Sequence, residues 1–211
     1  SLFPYKGEPT ARIVPRLFKL IDLPNCWSKF DPVNVVMYNT VLSNFSNNAT
    51  KKKEIQVKTM HSWFYKWAYK ATKKRVKEIE KFKPDYKALF DLLLEKEVSE
   101  SLDLENLNWG HFVIDEAQDF STNQYEFLNK VRHTFFSTED MPSVTVLADE
   151  NQQLWDDNSS LKEIKNTFKI ERGSNLFGLT KNYRNTDQIN SLIEYFYVGL
   201  ETGMTKPSGK Q

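Results

Sequence analysis

His111-Phe112-Val113-Ile114-Asp115-Glu116-Ala117-Gln118-Asp119-Phe120 is the stretch on which the fold turns. Phe112, Val113 and Ile114 are apolar without alternation, so both faces of the segment are suited to burial. That is the pattern of a strand inside a parallel sheet covered on both sides. The apolar run gives way at once to Asp115-Glu116, with Gln118 and Asp119 close behind. The acids therefore fall at the strand's carboxyl end, the side on which open α/β sheets bind ligands. Two adjacent carboxylates there suit a magnesium nucleotide. One can hold the metal, usually through water, and the next can orient an attacking water. For a bare Asp-Glu pair the competing reading is a solvated acidic turn.

The flanking sequence repeats the alternation of strand and helix. Downstream, Tyr125, Leu128, Val131 and Phe135 share one face of a helix predicted over Thr122 to Phe136. Val144 to Ala148 is a second buried strand, and it too ends in an acid, Asp149. A weak helix follows from Leu161 to Phe168. Gly173 and Gly178 bracket a turn, and a helix over Thr186 to Leu200 takes Thr186 or Asn185 as its cap. Upstream, Leu17, Leu20 and Ile21 mark a helix over Ile13 to Leu23 that Pro24 stops. Val33 to Met37 and Ile55 to Thr59 read as strands around a polar loop from Asn44 to Lys53. Trp63, Phe64, Trp67 and Ala71 are spaced for a helix in a run that Pro84 breaks, and Tyr86, Leu89, Phe90, Leu93 and Leu94 mark a second one. Strands alternating with helices predict an α/β fold with a parallel sheet. The helix-rich stretch between the strands near residues 57 and 112 looks like an insertion.

With 211 residues the chain is long enough for one sizeable domain, or a domain with a subdomain inserted. Hydrophobic residues make up 39% and charged residues 27%, the balance of a soluble globular chain. The lone cysteine, Cys26, excludes an intramolecular disulfide and suits a reducing compartment. No apolar run approaches the roughly 20 residues of a membrane span, and the start carries no secretory signal. These features predict a cytoplasmic protein with no membrane partner. The opening Ser1 suggests a chain excised from something longer. Three scattered histidines, His61, His111 and His133, and one cysteine argue against a zinc site.

Charge is unevenly distributed although the net value is only +1. Thirteen Lys or Arg stand against four acids from Lys51 to Lys87, and ten acids against one Lys from Ala88 to Glu126. The basic segment interleaves with Trp63, Tyr65, Trp67 and Tyr69, which can offer flat faces to bases, each stack worth roughly 1–3 kcal/mol. The alternative is a solvated lysine face over an aromatic core, and about half of these aromatics are expected to be core.

The run around Asp115-Glu116 resembles motif II, the Walker B box, of UvrD/Rep-type superfamily 1 helicases. Asp149-Glu150-Asn151-Gln152 resembles motif III, with Ala148 where the family usually has Gly. Leu179-Thr180-Lys181-Asn182-Tyr183-Arg184-Asn185-Thr186 looks like motif IV. Lys58-Thr59-Met60-His61-Ser62-Trp63 resembles motif Ib, and Val35-Val36-Met37-Tyr38-Asn39-Thr40, more loosely, motif Ia. The boxes occur in the family's order and cover nearly the whole chain.

This resemblance implies a RecA-like P-loop NTPase domain: a central parallel sheet flanked by helices, with an inserted helical subdomain. Residues 1–62 and 109–200 would form motor domain 1A, residues 63–108 the helical insertion (1B-like), and residues 201–211 the start of a connection to a second motor domain. The implied activity is ATP-driven movement on single-stranded DNA. Asp115 would hold magnesium and Glu116 would orient the water. Gln152 and Arg184 would sense the γ-phosphate. Gln118, Asp149 and Tyr183 would complete the nucleotide site, with Gln118 and Asp119 coupling its state to the rest of the motor. Asn39, Thr59, His61, Trp63, Lys66 and Lys70 would lie along the nucleic acid.

The sequence departs from the family where a phosphate-binding loop, Gly-x-x-x-x-Gly-Lys-Ser/Thr, is expected before motif Ia. Lys6 to Val14 is the nearest segment, and it lacks both the second glycine and the terminal lysine. The second motor domain, with its arginine finger, is also missing from the sequence. The chain alone is therefore expected neither to hydrolyse ATP nor to unwind a duplex. A degenerate, nucleotide-independent nucleic-acid-binding module and an interaction scaffold derived from a helicase are the rival readings.

Overall fold

The computed structural model describes residues 33–38, 40, 43–44, 55–149, 158–171, 175–176, 181–182, 186–195 and 206–207. The helix expected over residues 13–23 and the candidate site residues Asn39, Gln152, Tyr183 and Arg184 lie outside them. In chain order the elements are β1 (Val33–Met37), β2 (Ile55–Thr59), α1 (Met60–Thr72), a hairpin of β3 (Glu78–Glu80) and β4 (Lys83–Pro84), α2 (Tyr86–Val98), the short α3 (Leu104–Leu107) and β5 (His111–Ile114). A 3₁₀ turn (Ala117–Asp119), α4 (Thr122–Phe135), β6 (Ser143–Val146), α5 (Leu161–Phe168), β7 (Lys181–Asn182), α6 (Asp187–Glu194) and β8 (Lys206–Pro207) follow.

β2, β1, β5 and β6 lie side by side in that order, and every pair is parallel. The protein is a mixed α/β structure with a four-stranded parallel sheet flanked by helices. Met37 lies opposite Thr59, Val36 opposite Ile114 and Ile114 opposite Val146, so all four carboxyl ends meet at one edge. The chain steps from β1 to β2 in one direction, then returns past β1 to β5 and continues to β6. This reversal parts the connections between β1 and β5. Among the described strands that gap is the topological switch point, the crevice where open α/β sheets place ligands.

Side chains on a strand alternate between faces, and the sheet's core divides accordingly. Val33, Val35, Met37, Val57 and Val113 form one buried cluster. Val36, Phe112 and Ile114 belong to the other, larger one, packed with α1, α2, α4 and α5. All five residues of β1 and all four of β5 are buried, the polar Asn34 and His111 included, and Asn34 Nδ2 donates to the Trp109 carbonyl at 2.8 Å. β6, expected to be a second buried strand, is only partly buried, with Thr145 exposed.

α1 follows β2 with no intervening loop. Its N-cap is Thr59, whose Oγ1 accepts from the Ser62 N–H at 3.2 Å. Met60, Trp63, Phe64, Trp67, Ala68 and Ala71 are buried at helical spacing. The helix ends well before Pro84. Lys73 turns left-handed at φ 57° and closes the last turn with its N–H on the Tyr69 carbonyl. The physical reason is in the sequence: after Ala71 the next positions on the buried face are Lys74 and Arg75, which have no core to enter. The chain folds instead into the β3–β4 hairpin, and Pro84 is its last residue rather than a helix breaker.

The boundary expected at residue 63 does not coincide with a break in the core. Trp63 packs on Phe112 at 4.1 Å between ring centroids, Phe64 on Phe127 at 5.8 Å, and Phe90 of α2 on Phe135 at 5.9 Å. Trp67 donates its indole N–H to the buried Leu107 carbonyl at 2.9 Å. The segment 63–108 thus shares one hydrophobic cluster with the sheet and α4. Among the described residues no helix is long and apolar enough to cross a membrane.

Candidate nucleotide site and basic face

At the carboxyl edge, the ladder between β1 and β5 runs one residue beyond the strand: the Asp115 N–H donates to the Val36 carbonyl at 2.9 Å. This holds the backbone of Asp115 over the switch-point gap, and the residue is buried. Glu116, half-buried, takes a left-handed backbone at φ 52° and ψ 49°. A residue with a β-carbon pays roughly 1–2 kcal/mol for that conformation, so its surroundings must hold it. The Asp119 N–H closes the turn on the Glu116 carbonyl, and the Ala117 N–H reaches across to the Leu147 carbonyl, both at 2.9 Å. The Tyr125 hydroxyl donates to the Ala117 carbonyl at 2.6 Å. Burial first, then the charge of Asp119, push the Tyr125 phenol well above its ordinary pKa, so it remains a donor. The Ser159 N–H and Oγ both donate to the Phe120 carbonyl, at 2.9 and 2.7 Å. β6, α4 and the entry to α5 therefore each hold part of the acidic loop.

Gln118 ties two strand tips together. Its Nε2 donates to Glu116 Oε2 at 2.8 Å, and its Oε1 accepts from the Asp149 N–H at 3.1 Å. With 1% of its surface exposed, Gln118 is a buried bridge that positions Glu116 against Asp149. Tyr38, just past β1 on the other side of the gap, is exposed and meets Phe120 edge-on at 5.9 Å. Sequence reasoning assigns no separate role to Tyr38, Tyr125 or Ser159. Their parts depend on which strand tips become neighbours, and no local motif carries that information.

Among the described residues, no group of three or more His, Cys, Asp or Glu is placed to hold a metal ion. Asp115 and Glu116 are a sparser set. Two carboxylates are nevertheless what magnesium commonly takes from a protein when water and phosphate oxygens complete its octahedron, so the donor chemistry fits that ion. His111 stands at the opposite end of β5, away from the acids. It is buried, with Nδ1 2.5 Å from Ser143 Oγ and Nε2 3.0 Å from Thr145 Oγ1. Burial lowers its pKa to about 4, so it is a neutral tie between β5 and β6.

The residues expected along a nucleic acid divide. Thr59 is engaged as the cap of α1. Trp63, 4% exposed and parallel to Trp67 at 5.4 Å, is a core residue. His61, Lys66 and Lys70 are exposed on α1. Lys58 on β2 lies close enough to the last two that their charges, after partial burial, lower its pKa.

No protein-family model matches the chain, and no curated protein or solved structure shows significant similarity to it.

Proposed function

We propose that the chain is a RecA-like motor domain of a UvrD/Rep-type superfamily 1 helicase, taking ATP and magnesium at the carboxyl edge of the sheet and single-stranded DNA on the adjoining basic face. One observation carries the reading: two acidic boxes far apart in sequence, at Asp115-Glu116 and at Asp149, are neighbours joined through Gln118 beside the switch point. Bound magnesium-ATP would supply the phosphoanhydride and the charge neutralisation that phosphoryl transfer needs. Asp115, at the tip of the buried strand, is the residue to hold the metal. Glu116, turned left-handed and fixed by Gln118, is the residue to orient a water and take its proton. Gln152 and Arg184 are assigned to sensing the γ-phosphate, Asp149 and Tyr183 to the nucleotide site, and Asn39, His61, Lys66 and Lys70 to the nucleic acid.

Titration calorimetry with ATP tests the proposal. The expected result is magnesium-dependent binding, retained in Glu116→Gln, with no turnover by this chain alone. Absence of nucleotide binding at millimolar ATP, with oligonucleotide binding intact, favours the second reading, a nucleotide-independent nucleic-acid module. The observation on the side of that reading is that the segment Lys6 to Val14 carries no Gly-Lys-Ser/Thr.

A further inference from the structure

The β3–β4 hairpin turns through Lys81 and Phe82, and Phe82 is the unusual residue. Its backbone is left-handed at φ 66°. In a tight turn such a position favours Gly or Asn, whereas a bulky residue there is an outlier. The ring is not tucked away to compensate, since 62% of the residue is exposed. On its inner side it meets the His61 ring at 5.0 Å, nearly perpendicular, and His61 meets Tyr65 at 4.4 Å. Tyr65 in turn abuts the core residue Phe64 at 5.9 Å. An aromatic series therefore runs from the core to the hairpin tip. Ile79, on the same hairpin, is 73% exposed.

The sequence around this tip is rich in cations. From Lys66 to Lys83 the chain has eight Lys or Arg and two acids, Glu78 and Glu80. Both acids are engaged: Glu78 accepts from the Tyr65 hydroxyl, and Glu80 pairs with Lys83 at 2.8 Å. Lys81 Nζ lies 5.1 Å from the centre of the Phe82 ring. On α1, Lys66 and Lys70 stand one turn apart, within electrostatic reach of Lys58. A basic segment favours an anion, and a flat exposed ring with Lys81 beside it favours one that carries bases. His61 is in the first turn of α1, directly after the carboxyl end of β2. The hairpin tip therefore adjoins the same sheet edge as Asp115, two strands away, or about 10 Å at the usual strand spacing.

We propose that Phe82, backed by His61 and Tyr65 and flanked by Lys81, is a base-stacking site for single-stranded nucleic acid, with Lys66 and Lys70 elsewhere on α1 taking phosphates of the same strand. The inference rests on the nucleic-acid half of the proposed function and is independent of its ATP half. Stacking engages the face of a base, and the lysines neutralise the adjoining phosphates.

Fluorescence anisotropy with a labelled oligothymidylate and an abasic strand of equal length tests it, using the full chain. Phe82→Ala should weaken binding to oligothymidylate by about fivefold to a hundredfold and leave the abasic strand unaffected. Phe82→Trp should keep or raise the affinity. Lys66→Gln and Lys70→Gln should weaken both ligands and flatten the logarithmic salt slope by about 0.7 for each phosphate that is no longer neutralised. Thermal melts establish that the variants fold, as substitution at an exposed hairpin tip allows. Equal oligothymidylate affinity of Phe82→Ala and the unaltered chain overturns the stacking site while leaving the nucleic-acid reading in place. No binding of either strand by the unaltered chain overturns both. Polyglutamate bound as tightly as oligothymidylate, with the same weakening in Phe82→Ala, identifies an acidic-protein surface instead and also overturns the inference.

Discussion

Gln118 sits four residues past the end of an apolar strand, in a polar run, where exposure is the ordinary outcome. Instead it is buried, because its amide satisfies a carboxylate on one side and a backbone N–H on the other. Removing a buried amide leaves both partners short of a hydrogen bond, at a cost of roughly 1–3 kcal/mol. Gln118→Ala is therefore expected to lower unfolding free energy by about that amount in urea denaturation. A double-mutant cycle with Glu116→Ala should show coupling above about 0.5 kcal/mol, since the two side chains share one bond. Strict additivity would mean that Glu116 is held by its backbone turn alone. The two acids of the pair differ in how they are held. Asp115 is fixed by the sheet ladder and Glu116 by a left-handed turn, so identical chemistry arrives at the strand tip in two backbone settings.

Between elements, the pairing of β5 with β6 depends on a histidine that must stay neutral. His111 bridges Ser143 and Thr145 through its two ring nitrogens. Its folded pKa of about 4 lies below the ordinary value of 6.5, so between these pH values the unfolded chain binds more protons than the folded one. Stability from this group is complete above about pH 6.5 and falls as pH drops towards 4, by up to about 3 kcal/mol. His111→Gln keeps hydrogen-bonding capacity without the titration. The difference in urea midpoint between this variant and the unaltered chain should shift in the variant's favour from pH 7 to pH 4.5. A pH-independent difference would show that the imidazole is not buried neutral.

For the molecule as a whole, the packing of α1 matters more than its lysines. Trp63, Trp67 and Trp109 lie in the cluster that holds Phe112 of the sheet and Phe127 of α4. Tryptophan fluorescence and far-ultraviolet circular dichroism should therefore report one coincident unfolding transition. Trp63→Ala should cost about 3–5 kcal/mol, as removal of a large core side chain does. A separate, earlier transition for the segment 63–108 would show that the shared cluster does not couple it to the sheet. Weaker oligonucleotide binding in Trp63→Ala would be a consequence of damaged structure, whereas the same weakening in Phe82→Ala would not.

The amino-acid sequence alone determined the parallel strands, most of the helices and the placing of an acidic pair at a strand tip. Each of these follows from a short-range rule. An apolar run marks a strand, although the run at Val144 to Ala148 proved only partly buried; a 3.6-residue period makes an amphipathic helix, and a strand ends where charges begin. Folding decided whatever depends on what a face meets. Periodicity groups Trp63 with Trp67 but does not say whether that face lies against Phe112 or a ligand. The lysines around it suggested a ligand, and packing assigned it to the core. Nor does the sequence show that Gln118 would reach Asp149 or that Phe82 would be held out at a hairpin tip beside His61. These neighbours are separated by many residues or by a turn whose geometry runs against local preference, and only closure of the chain around its core brings them together.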